Sequence, residues 1–110
     1  MSTPPDIDRD LIAQLKDAVG DASFAWLRDA CIANSNTRLD DLSGAVERRD
    51  ITEIRTCAHA LVGLFAQFGL AAVERIAREV ELADDHLLPA LATALIERSQ
   101  AGLRELRELT

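Results

Sequence analysis

The sequence has no tyrosine, a single tryptophan (Trp26), and only 4% aromatic residues in 110. A core cannot be built around rings with that supply, so the 48% hydrophobic content must pack as Leu, Ala, Ile and Val. Strand signals are also missing: there are no alternating runs, Asn-Gly turns or β-branched clusters. Positive charge is scarce, and the formal net charge is −7. No basic footprint for a phosphate backbone is present, which excludes nucleic acid as the expected partner. No run reaches the roughly 20 apolar residues of a membrane span. Residues 1–6 (Met-Ser-Thr-Pro-Pro-Asp) lack the basic start and apolar stretch of an export signal. The expectation is a soluble, cytoplasmic protein without membrane contact. Cys31 and Cys57 are far apart and follow no metal or redox spacing, so both are read as reduced, partly buried thiols.

What remains is helical periodicity. The length fits one domain over residues 1–110, with 1–5 expected to be disordered. A short first helix is expected from about Asp6 to Val19, after Pro4 and Pro5, capped by Asp6 or Asp8 and broken by Gly20. A long second helix should run from about Asp21 to Arg49. Its middle, Asn34-Ser35-Asn36-Thr37, is poor in helix formers and is a candidate bend. Asp50 followed by Glu53 has the form of a capping box. The third helix should therefore start there and continue to about Phe68, with Gly69 as its stop. A fourth is expected over about Leu70–Ala83. Asp84-Asp85-His86 then reads as a polar, solvent-facing connector. The fifth runs from about Leu87 to Leu109, with Pro89 in its first turn. Short connections imply antiparallel neighbours. The fold class is therefore all-α: an up-and-down antiparallel four-helix bundle, with the additional short N-terminal helix covering one end. Phe24 and Trp26 are expected to pack that end or the core. One bundle consumes most of the apolar stripe, so a monomer is expected.

His59 is the residue that points to chemistry. By three-and-four spacing it shares a helix side with Val62, Gly63 and Ala66, while Ala58, Leu61, Phe65 and Phe68 supply the packing side. The imidazole would thus look outward over a glycine, as a nucleophile approached by a large partner requires. Imidazole titrates near neutral pH, so a neutral, nucleophilic fraction is available at pH 7.

The run Ala58-His59-Ala60-Leu61-Val62-Gly63, followed by Gly69, resembles the signature of histidine-containing phosphotransfer (HPt) domains. That pattern is roughly Ala-His-x-Leu-Lys-Gly, with a further Gly ten residues after the His. Ala58, His59, Leu61, Gly63 and Gly69 match it. The chain departs from it at Val62, where the family has a lysine whose ammonium offsets phosphoryl charge. Arg55, one turn before His59, and Arg78 on the facing helix are candidate substitutes, and Val62 would instead add apolar area to a docking surface. Some family members carry a Gln about 22 residues after the His. Glu81 occupies that place, where its carboxylate could hold one ring nitrogen and raise the basicity of the ring, or simply be solvated.

The resemblance implies that His59 is the phosphoacceptor of a two-component phosphorelay. It would take the group from one receiver-domain aspartate and pass it to another. Gly63, Val62 and Ala66 would form the low-relief surface on which a receiver docks. The chain would be a stoichiometric carrier without kinase activity. It would need no cofactor of its own, because the receiver supplies Mg²⁺ and a lysine. Receivers and a hybrid histidine kinase are the implied partners. The alternative is a module of the same shape that binds a receiver or kinase and carries no phosphate. A metal site using His59, His86 and the cysteines has no ligand spacing to support it, and Cys57 and His59 do not share a helix face.

Overall fold

The computed structural model describes residues 7–109, and residues 1–5, expected to be disordered, lie outside them. Five α-helices follow one another: α1 (Arg9–Val19), α2 (Asp21–Arg48), α3 (Ile51–Gln67), α4 (Ala71–Leu82) and α5 (Leu88–Glu108). No strand occurs among the described residues. Helices α2 to α5 form the bundle in cyclic order, each packing on its chain neighbour, with α5 closing back onto α2. The 28 residues of α2 extend about 42 Å at 1.5 Å per residue, which accounts for the 43 Å long dimension of the molecule.

The helix starts are chemical. The Asp8 carboxylate accepts from Leu11 N at 3.1 Å to open α1, and Asp50 accepts from Glu53 N at 3.1 Å to open α3. Glu53 does not reach back to complete the expected box. Its carboxylate instead accepts from the Cys57 thiol, at 3.4 Å. The Asp6 alternative for the first cap lies outside the described residues, and α1 begins at Arg9. The polar connector before α5 is itself a short 3₁₀ turn over Asp85–Leu87, in which His86 is exposed.

The candidate bend at Asn34–Thr37 does not interrupt α2, which is continuous over Asp21–Arg48. Ser35 is fully buried, with the Cys31 thiol 3.9 Å away, and the Thr37 hydroxyl donates to the Ala33 carbonyl at 3.2 Å. Packing on both sides of the segment overrides its weak intrinsic propensity. Trp26 is a correction: it is 70% exposed and packs neither the end nor the core. Phe24, Cys31, Ser35 and Leu42 lie along one buried stripe of α2, and a two-residue step from Phe24 turns about 200° away from it. Phe24 is buried, with its ring tilted against Phe68 at 6.1 Å between centroids.

The core is aliphatic. Leu42, Ile54, Leu61, Phe65, Leu70, Leu88, Leu95 and Leu106 are fully buried in one cluster. At about 1.5–3 kcal/mol for each large side chain removed from water, this burial holds the bundle together. α1 packs on α2, and its start is tied to the α3–α4 turn, where Asp8 N donates to the Gly69 carbonyl at 2.7 Å. Gly69 has φ of 64°, and a Cβ there would sit 3.0 Å from Asp8 Cβ. It therefore serves both as a helix stop and as the place where α1 approaches without obstruction.

Candidate functional site

Helix α3 carries Arg55, His59, Gly63 and Ala66 outward from its core stripe of Ile54, Ala58, Leu61 and Phe65. His59 lies midway along it with a side chain 77% exposed. A four-residue step on an α-helix advances the side chain by about 40°, whereas a three-residue step brings it back by about 60°. From His59 the first step leads to Gly63 on the solvent side, and the second leads to Val62 beside the core. Val62 is accordingly only 9% exposed and packs within the core cluster. The expectation that it widens the docking surface is corrected by that burial.

Gly63 is exposed, and a Cβ built on it would meet nothing within 4 Å. Close helix packing therefore does not explain this glycine. Ala66, one turn further on, is also exposed. Together they leave an open surface next to the imidazole. On the other flank of α3, Ala60 and Leu64 border a shallow groove completed by Asn34, Thr37 and Arg38 of α2.

Glu81, near the end of α4, reaches across to α3. Its Oε1 lies 2.6 Å from His59 Nδ1. An ionised carboxylate only accepts hydrogen bonds, so Nδ1 must carry the proton at this contact. In the neutral ring Nε2 is then the atom with the free lone pair, on a side chain open to solvent. Of the two readings for Glu81, the structure gives the one in which it holds the ring. The side chain of Glu81 is 30% exposed, which shields the contact partly from water.

Arg55 does not stand free beside the imidazole as a substitute counter-charge. One Nη donates to the Glu81 backbone carbonyl at 2.8 Å, and the other pairs with the Asp85 carboxylate at 2.6 Å. Arg78 is turned along its own helix, with Nε 3.4 Å from Glu74 Oε2. The structure thus brings His59, Glu81 and Arg55 together and commits both arginines to carboxylates. Lys16, in α1, is the chain's single lysine. Asp85 is the site residue that the sequence did not disclose. It sits in a connector whose path no periodicity specifies, and only the acidic pair Asp84-Asp85 gave a sign of it.

Cys31 and Cys57 are buried free thiols. Burial, followed by the Glu53 hydrogen bond and the nearby charges of Glu53 and Asp41, pushes the Cys57 thiol up to about 11, and burial also raises Cys31. Neither is a nucleophile at neutral pH. No group of three or more His, Cys, Asp or Glu side chains that could hold a metal occurs among the described residues. No helix among them is long and apolar enough to cross a membrane.

Comparison with known proteins agrees with this geometry. No curated protein matches the sequence. Among solved structures, the chain is similar to histidine-containing phosphotransfer protein B from Pseudomonas aeruginosa PAO1. The two share 23% identity and a TM-score of 0.76, over 96% of this chain and 90% of that one, a likeness of fold. A family model, the Hpt domain, matches residues 27–109, from the first turns of α2 to the end of α5. With most of its length matched, the chain belongs to the Hpt domain family, the helical modules of histidine phosphotransfer in two-component signalling.

Proposed function

We propose that His59 accepts a phosphoryl group from a receiver-domain aspartate and passes it to another, making the chain a stoichiometric phosphorelay carrier. The single observation that carries this reading is the bidirectional environment of the ring. Nδ1 is held 2.6 Å from Glu81, while the remainder of a 77% exposed side chain faces water over a glycine. The Nε2 lone pair attacks the phosphorus of the aspartyl phosphate in line. The N–P bond forms, the P–O bond to the aspartate breaks, and the aspartate departs as a carboxylate. The proton on Nδ1 stays on the Glu81 hydrogen bond throughout. Onward transfer reverses these bonds toward a second carboxylate.

Phosphoryl transfer asks mainly for positioning and charge neutralisation. The bundle supplies positioning. The receiver supplies Mg²⁺ and a lysine, so the chain needs no cofactor and no kinase activity of its own. The surface of Gly63 and Ala66 admits the receiver, and a hybrid histidine kinase stands upstream. The carrier acts as a cytoplasmic monomer. The test is incubation with a phosphorylated receiver domain. Acid-labile label should appear on His59, and His59→Gln should fold normally and take none.

One observation favours a second reading, a docking module that carries no phosphate. The position of the family lysine is filled by Val62, which is buried, and both nearby arginines are committed elsewhere. This reading predicts receiver binding that survives His59→Ala, with no label transferred from any of several receivers.

A further inference from the structure

Residues one turn apart on α3 grip two different parts of one residue on α4. His59 Nδ1 meets the Glu81 carboxylate at 2.6 Å, and Arg55 Nη1 donates to the Glu81 backbone carbonyl at 2.8 Å. The second Nη of Arg55 pairs with Asp85 at 2.6 Å, beyond the end of α4. We infer that Arg55 and Asp85 are positioning residues for the phosphoacceptor: they clamp the end of α4 so that Glu81 keeps the proton on Nδ1 and leaves Nε2 bare. This rests on the reading of His59 as the carrier.

The physical case begins with the helix end. Glu81 lies in the last turn of α4, where backbone carbonyls have no partner within the helix and the turn frays readily. Its cap residue, Ala83, is extended. The guanidinium of Arg55 supplies the missing donor, and its fork lets it bind the carbonyl and the Asp85 carboxylate at once. The side chain of Arg55 is 31% exposed and that of Asp85 is 75% exposed. Such a pair contributes little to global stability. Its geometric effect is local. The neutral histidine side chain, free of partners, prefers the tautomer with the proton on Nε2, which leaves the free lone pair on Nδ1 instead. An acceptor held at Nδ1, here the Glu81 carboxylate, reverses that preference. When the last turn of α4 loosens, Glu81 moves away from the ring and Nε2 becomes protonated. Arg55 and Asp85 thus act on His59 through Glu81, without touching the phosphoryl group.

The experiment is nitrogen-detected NMR of the His59 ring in the unphosphorylated protein at mildly alkaline pH, paired with label uptake from a phosphorylated receiver. Wild type should show the proton on Nδ1. Arg55→Met should shift the population toward Nε2–H at temperatures well below unfolding, and should slow uptake by about threefold to tenfold. Arg55→Lys should recover part of both, since an ammonium reaches one acceptor and not the pair. Asp85→Ala, on the exposed connector, should move both readouts in the same direction by less, and it decides the matter if Arg55→Met does not fold. An unchanged tautomer in Arg55→Met and Asp85→Ala overturns the inference. So does slowed uptake with an unchanged tautomer, because Arg55 would then act as a phosphoryl counter-charge. Label on the His59→Gln protein would instead remove the carrier reading, while the NMR result would still stand on its own.

Discussion

His59 and Glu81, 22 residues apart in sequence, meet at 2.6 Å across α3 and α4, so the ring nitrogen facing the ionised carboxylate is the donor and, in the neutral ring, the other keeps its lone pair. The register that brings them together comes from the buried residues behind them. Ala58 and Leu61 on α3 and Ala77 and Val80 on α4 are all buried, so the outward neighbours of these residues face each other by default.

Glu81→Ala should lower the rate of label uptake by His59 by about threefold to tenfold, since the ring loses the hydrogen bond that sets its tautomer. Glu81→Gln should keep most of the rate, because the amide oxygen still accepts from Nδ1–H. Global stability should change by no more than about 1 kcal/mol in either variant, as the pair is partly exposed. Single-turnover transfer and thermal unfolding together check both parts. Equal rates in wild type and Glu81→Ala would show that the contact is idle.

Val62→Lys restores the family's residue at a position that this chain has made part of its core. Removing a valine that is only 9% exposed should destabilise the bundle by about 1–2 kcal/mol, with the lysine stem covering some of the apolar surface as its ammonium reaches outward. The new charge beside His59 should speed label uptake by about threefold or more. The check is uptake measured beside a denaturant unfolding curve. A slower variant would mean that the buried valine shapes the site in a way a cation cannot replace.

The bundle was legible because its determinants are local. Asp8 and Asp50 cap, Gly20 and Gly69 break, and the leucine stripes repeat at helical spacing. The family was legible from the motif around His59, and the exposure of that ring from its place on α3. The long second helix was legible, and its candidate weak point at Asn34–Thr37 stays helical with Ser35 buried. Two side chains, Trp26 and Val62, point otherwise than the sequence suggests. Trp26 is exposed rather than packed on the end or core, because its two-residue offset from Phe24 turns it outward. Val62 was grouped with His59 by three-residue spacing, although that step rotates toward the core. The Arg55 clamp depends on where a connector runs after α4, which no pattern in the helices encodes.

Cys57 makes stability depend on alkaline pH. Burial first, then the hydrogen bond to Glu53, raises its thiol from an ordinary 9.0 to about 11. The folded state thus holds a proton that the unfolded chain releases earlier. Stability from this group is fully present below 9.0 and is lost as pH rises through about 11. Denaturant unfolding at a series of alkaline pH values should show that decline, and Cys57→Ala should flatten it. Native protein should also resist iodoacetamide at neutral pH and react at both cysteines once unfolded. Rapid alkylation of the native protein would contradict the burial of Cys31 and Cys57.

Gly63 separates stability from function. Its place in the interior of α3 costs helix stability, and a Cβ there meets no atom within 4 Å. Gly63→Ala should therefore stabilise the isolated protein by about 0.5–1 kcal/mol, the usual gain of alanine over glycine within a helix. Thermal unfolding would register a rise of several degrees. In the proposed complex the same methyl would stand one turn from His59, on the side from which a receiver would approach. Label uptake should fall modestly for Gly63→Ala and steeply for Gly63→Leu, whose longer side chain overhangs the imidazole. The opposed signs are the diagnostic result. A bulky residue at 63 that leaves transfer at the wild-type rate would mean that the receiver does not approach over this surface, and Gly63 would then have no steric purpose beside His59.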